Sequence, residues 1–166
     1  MEHQDYIEAI DILRQTDTRE LELLCDIIEN FPHGKDAFIG RYWIINAIDC
    51  GSIETVQWIL SKDVELKFED DDTPLESSIQ RDLPNKYEIL KMLIQAGADI
   101  HARGMNDYTP LHLAATKNDQ IAMKILIESG ADKTIRTRID DLATPEEEAR
   151  NLGSIEGADF LAKLKN

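Results

Sequence analysis

The sequence predicts an all-α chain built as an array of stacked helix–turn–helix units. Three observations carry that expectation. Residues 73–99 and 109–132 are two copies of one pattern, both opening Thr-Pro-Leu and both closing Gly-Ala-Asp. Asp99 and Asp132, Gly97 and Gly130, Lys91 and Lys124, and Asn85 and Asn118 each sit 33 positions apart, and a fixed period of this size marks a repeat architecture. Hydrophobic residues make up 42% of the 166, enough for a core and too many for a disordered acidic tail.

The elements follow in order. Tyr6, Ile10 and Leu13 at helical spacing predict a first helix, and Leu21, Leu24, Cys25 and Ile28 predict a second after Thr18. Phe31-Pro32-His33-Gly34 ends this pair. Residues 1–36 are expected to form an N-terminal helical cap or a degenerate repeat, because so short a segment without metal or disulfides rarely folds alone. Residues 42–65 are a weak copy that keeps Ala47, Gly51, Glu54, Val56 and Ile59-Leu60. Trp43 stands there where other copies carry proline and is expected to pack on the N-terminal pair, with a concave-face anchor as the alternative, and Trp58 is expected in the core.

In the clearest copy, Thr109 is a good N-cap, and Pro110 suits the first helical position, where a missing N–H costs nothing. Leu111, Ala114 and Ala115 should face a packed interior. Asn118 supplies a turn, and Ile121, Ile125 and Leu126 mark the apolar face of the second helix. Gly130 suits a left-handed position just past that helix. The copy at 73–99 carries three extra residues within Gln80–Pro84, and residues 144–164 keep Thr144-Pro145, Ala149, Gly153 and Phe160-Leu161 before stopping. Degraded end copies are expected where outer faces meet water instead of a neighbour.

The run Thr-Pro-Leu-His-Leu-Ala-Ala at 109–115, with Gly-Ala-Asp at 97–99 and 130–132, resembles the ankyrin repeat. The resemblance covers residues 37–166, with repeats at 37–68, 69–103 and 104–137 and a capping repeat at 138–166. It implies an ankyrin-repeat solenoid with projecting β-hairpin or loop fingers and a concave surface lined by the first helices. It also implies protein recognition without catalysis. Glu76 stands where His112 stands one repeat later, which leaves the family's histidine hydrogen bond open in that copy.

Signals for chemistry are negative. His3, His33, His101 and His112 are scattered, with no HExxH and no Cys/His cluster. His112 is expected to be the structural histidine of the resemblance, and His101 a surface contact. No phosphate-binding loop or nucleophile elbow occurs. Asp70-Asp71-Asp72 lacks the glycine and bidentate glutamate of a calcium loop. No metal, cofactor or catalytic residue is expected. Cys25 and Cys50 are read as two small buried residues of a reducing, cytoplasmic protein. Met1-Glu2-His3-Gln4-Asp5 lacks the positive region of a secretory leader.

Charge narrows the partner class. Lys and Arg number 18 against 33 Asp and Glu, a formal charge of −15. That disfavours nucleic acid and anionic membrane as direct ligands. It suits a chain that is monomeric on its own and binds a protein with a basic surface. The acid is concentrated at Glu65, Glu69, Asp70, Asp71, Asp72 and Glu76, and again at Asp140, Asp141, Glu146, Glu147 and Glu148. The resemblance places both runs on a finger and the start of the following helix.

Between them, the finger Arg103-Gly104-Met105-Asn106-Asp107-Tyr108 offers Met105 and Tyr108 as anchors. The residues closing the first helices, among them Arg81, Thr116 and Lys117, match positions the family uses for contacts. The expected partner-binding set is therefore Glu69, Asp70, Asp71, Asp72, Glu76, Arg81, Arg103, Met105, Asn106, Tyr108, Thr116, Lys117, Asp140, Asp141 and Glu147. A compact acidic module of this kind resembles toxin-neutralising immunity proteins, some of which are built from ankyrin repeats. The expected function is that of a non-catalytic protein–protein interaction module that binds a basic protein through its concave face and acidic fingers, in its sharper form an inhibitor of a nuclease-like toxin. The alternative is an acidic adaptor or regulatory subunit with several weaker partners.

Overall fold

The computed structural model describes residues 2–15, 17–68, 72–83, 85–139 and 142–164. Among these residues lie ten α-helices, one short 3-10 turn at Met105–Asp107, and no strand beyond a single bridge between Lys35 and Tyr42. No helix among the described residues is long and apolar enough to cross a membrane. The chain divides into two compact units, one ending at Leu66 and one beginning at Lys67.

The first unit contains α1 (His3–Arg14), α2 (Thr18–Ile27), α3 (Trp43–Cys50) and α4 (Ile53–Leu60). Helix α1 packs on α2 and α3, and α4 packs on α2 and α3. The side chain of Asp17 caps α2 by accepting from the Arg19 N–H at 2.9 Å. The Ser52 hydroxyl caps α4 through the Thr55 N–H at 3.1 Å, and the Thr55 hydroxyl in turn donates to the Gln15 carbonyl at 3.0 Å, tying the end of α1 to the start of α4. Trp43 packs on the N-terminal pair as expected. It is fully buried, with its ring 5.3 Å from Phe31 and 6.5 Å from Tyr6.

Trp58 departs from the core position expected of it. It is half-buried, stacked on Phe31, with its indole N–H donating to Glu22 and the Lys62 ammonium 4.5 Å above its ring. Cys25 is exposed and Cys50 half-buried, against the expectation that both are buried. Each thiol donates to the carbonyl four residues back, a local partner that a helical cysteine can reach without entering the core. Between α2 and α3 the chain wraps the buried carboxylate of Asp36. This group accepts the backbone N–H groups of Phe38, Ile39, Gly40 and Arg41 and the Asn46 amide. Burial alone would raise its pKa, but these donors hold it below the ordinary carboxylate value.

The second unit contains α5 (Pro74–Gln80), α6 (Lys86–Gln95), α7 (Pro110–Thr116), α8 (Gln120–Glu128), α9 (Pro145–Asn151) and α10 (Ile155–Lys163). The first helices stack as α5 on α7 on α9, and the second helices as α6 on α8 on α10. Leu111, Ala114 and Ala115 are buried as their pattern predicts. Asn118 takes a left-handed turn at φ 57°, and Gly130 follows α8 at φ 98°. The alanines and glycines of this layer permit close approach: a Cβ added at Gly157 of α10 would lie 2.6 Å from the Ala115 carbonyl oxygen. Ile121, placed by its spacing on the core face, is instead exposed. Ala122, Met123, Ile125 and Leu126 form the buried face of α8, which turns Ile121 outward at the first turn.

Candidate functional site

The sequence-predicted contact residues of the second unit fall into two groups separated by the first helices. Seven residues at 1.5 Å each put about 10 Å between the two ends of α7. At the N-terminal ends lie the fingers. The hairpin ladders implied for them are absent among the described residues, because side chains take up the backbone donors that a ladder would use. Asp132 accepts the Thr134 N–H, Asp107 accepts the Arg138 N–H, and the Thr137 hydroxyl accepts the Ala143 N–H. Single backbone bonds close the loops, from Gly104 N to Tyr108 O and from Thr137 N to Ala143 O.

Asp107 is the knot of this side. Asn106 and Asp107 both have positive φ, at 59°, which turns the Asp107 carboxylate back toward Arg103 and across to the next finger. It pairs with Arg103 at 2.6 Å and with the Arg138 guanidinium, whose Nε donates at 2.9 Å. The Arg138 hydrogen bonds hold its pKa below the ordinary carboxylate value. Arg103 also donates to the Arg136 carbonyl, and Arg136 pairs with Glu147 at 2.7 Å. Glu147 closes a capping box with Thr144, each side chain accepting the other's backbone N–H. The His101 ring nitrogen accepts the Asp132 N–H.

Tyr108 is only half-exposed. Its ring stacks on His112 with centroids 5.7 Å apart, and its hydroxyl donates to Glu148. Among the residues the fingers leave in solvent are three large apolar side chains: Met105 is 58% exposed, Ile139 47% and Leu142 52%. Asn106 and Asp72 are exposed. Glu76 and Arg81, by contrast, are buried in the unit, and Arg81 meets solvent only along the cleft at the other end of the first helices. Glu69, Asp70, Asp71, Asp140 and Asp141 lie outside the described residues.

At the other end of the first helices, the structure brings Arg81 and Lys117 into one cleft of about 660 Å³, also lined by Lys86, Tyr87, Asp119 and Ile121. Thr116 lies beside it, half-buried, with its hydroxyl on the Leu113 carbonyl. Asp119 caps α8 through the Ala122 N–H at 3.0 Å and accepts the Tyr87 hydroxyl at 3.0 Å, and Lys86 approaches to 2.7 Å. Burial would raise its pKa, but Lys86 and these donors hold it down. With Arg81, Lys86 and Lys117 facing Asp82 and Asp119, this cleft does not carry the acidic excess of the chain. Among the described residues no group of three or more His, Cys, Asp or Glu side chains is arranged to hold a metal ion.

The model of ankyrin repeats in three copies matches residues 44–137 and 85–165. The chain belongs to the ankyrin-repeat family. Ankyrin repeats indicate a protein–protein interaction module. Residues 109–132 of this chain show how the repeat is held: His112 Nε2 donates to the Ala143 carbonyl of the next repeat, while its Nδ1 accepts from Thr109.

The chain is 39% identical over 69 residues to human "Protein fem-1 homolog C", covering 39% of this chain and 11% of that protein. It is 29% identical over 123 residues to the ankyrin repeat and KH domain-containing protein mask-1 of Caenorhabditis elegans, covering 73% of this chain and 4% of that protein. A putative ankyrin repeat protein of Rickettsia felis is 30% identical over 100 residues, covering 59% of this chain and 26% of that protein. The chain thus spans a small part of the length of each relative.

Sequence reasoning missed Asp107, Arg138, Asp119, Ile139 and Leu142. The last two carried a signal, since apolar side chains in a loop outside any helical period have no core to fill.

Proposed function

We propose that this ankyrin-repeat protein captures a second protein that presents a basic surface, docking it on the fingers of the second unit. The observation that supports this reading is the exposed set Met105, Ile139 and Leu142 on two fingers joined by Asp107 and Arg138, in a chain of charge −15. Apolar anchors on a braced scaffold supply contact area without ordering cost, and surrounding carboxylates steer a basic partner into place. In its finer form the protein is a non-catalytic inhibitor of the immunity type. Carboxylates of the two acidic runs, Asp72 among them, supply the negative charge that phosphates would bring to the cleft of a nuclease-like toxin. The protein acts as a monomer in the cytoplasm, where its two free thiols stay reduced.

Co-purification from native lysate at low and high salt, with retained proteins identified by mass spectrometry, tests this reading. The inhibitor reading predicts one basic protein in a tight stoichiometric complex, and co-expression that protects the cell from it. Several weak partners with no protective effect identify an adaptor instead.

A further inference from the structure

The N-terminal pair carries a surface of a different kind, on residues that precede the family match. Positions 5, 8, 9 and 12 of α1 share one face at i, i+3, i+4 and i+7 spacing. Opposite them stand Leu24, Ile27 and Ile28, and the two sides enclose a groove of about 410 Å³. Its floor is apolar, formed by Ala9, Ile12, Leu24, Ile27 and Ile28. Ile27 is 76% exposed and its neighbour Leu23 is exposed as well, while Leu13, Leu21 and Leu24 already fill the core beneath α1 and α2. Nothing in the packing of this unit calls for an isoleucine at position 27.

The rim is acidic. Asp5, Glu8 and Glu29 line the groove, and no Lys, Arg or His does. Asp5 accepts the Glu2 N–H and Glu8 accepts the Gln4 amide, neutral donors that leave both negative charges uncompensated. From Glu2 to Asn30 the sequence holds nine carboxylates against two arginines, and Arg14 is already paired with Asp11.

The walls also constrain the occupant's backbone. Both walls are mainly helical, and neither offers a strand edge to an extended peptide. This favours an occupant whose backbone is already satisfied within its own helix. From Asp5 to Ile12 the wall runs about 10 Å, matching about two turns of such a helix.

We propose that this groove docks a basic amphipathic helix of another protein, its apolar stripe on Ile12 and Ile27 and its lysines or arginines facing Asp5, Glu8 and Glu29. This site is independent of the finger surface, so either can exist without the other.

The test uses the full chain and a labelled peptide of about 14 residues, built from Leu and Lys at amphipathic helical spacing, followed by fluorescence anisotropy. Saturable one-to-one binding is expected. Ile27→Lys should weaken it at least about tenfold, and because the side chain is solvent-exposed, circular dichroism should match the parent. Glu8→Lys with Glu29→Lys should weaken it several-fold, while the control Glu146→Lys with Glu156→Lys on the second unit changes it less than about twofold. A peptide of the same composition with scrambled spacing should not saturate. Equal losses from both charge-reversal pairs, or no effect of Ile27→Lys, would reduce the interaction to bulk charge attraction and overturn the proposal. A dimer in sedimentation equilibrium that Ile27→Lys dissociates would overturn it too, by assigning the groove to a second copy.

Discussion

The His112 Nε2 atom donates to the carbonyl oxygen of Ala143 at 3.1 Å, across 31 residues of sequence. A carbonyl only accepts, so the proton is fixed on Nε2 and Nδ1 is left to accept from Thr109 at the start of the same helix. One neutral imidazole thereby joins the N-terminus of α7 to the finger that precedes α9. Replacing His112 with alanine should cost about 2–3 kcal/mol, by leaving buried polar groups unpaired. Urea unfolding followed by far-ultraviolet circular dichroism measures this.

The same histidine predicts a pH effect. Burial pushes its pKa down, outweighing the bond to Ala143, which pulls it up. The folded state therefore favours the neutral ring, and the unfolded chain takes up a proton first. Stability from this group is fully present above about pH 6.5, the unperturbed imidazole value, and is lost as pH falls through the lower folded value. His112→Gln should flatten the stability profile just below pH 6.5, whatever it does to the absolute level.

Asp36 in the first unit is a larger investment. Four backbone N–H groups and one side-chain amide converge on it. Asp36→Ala should destabilise that unit by about 3 kcal/mol or more, read from the fluorescence of Trp43 and Trp58 during urea unfolding. Its depressed pKa places its contribution above the ordinary carboxylate range, with loss as acid carries the pH down through the folded value.

Asp107→Ala should free the fingers from each other while leaving the helices in place. Arg103 and Arg138 lose their shared carboxylate. Faster hydrogen exchange is expected over residues 103–109 and 136–139, with little change in α7 and α8.

Much of this architecture is legible in the chain. Thr-Pro openings, the turn at Asn118, the left-handed Gly130 and the alanine layer of α7 follow from local chemistry, and local chemistry survives folding. Trp58, Cys25, Cys50 and Ile121 do not follow, because helical spacing assigns a face but not which faces a second layer covers. Asp36, Asp107 and Asp119 were hidden for another reason. Among 33 carboxylates, nothing local distinguishes one that collects backbone donors from one that faces water. Buried Glu76 and Arg81 show the same limit from the other side, since charge alone did not reveal that packing encloses them.

Under the proposed function, carboxylates on the fingers steer a basic protein onto this surface. The most direct test of this is the association rate constant with the basic protein retained from lysate, measured by stopped flow between about 50 and about 500 mM salt, for the parent chain and for Asp70→Lys/Asp72→Lys. The rate for the parent should fall at least about tenfold over that range, and the variant should associate more slowly at low salt and respond less to salt. A parent rate insensitive to salt, or one that the double substitution leaves unchanged, would contradict this steering.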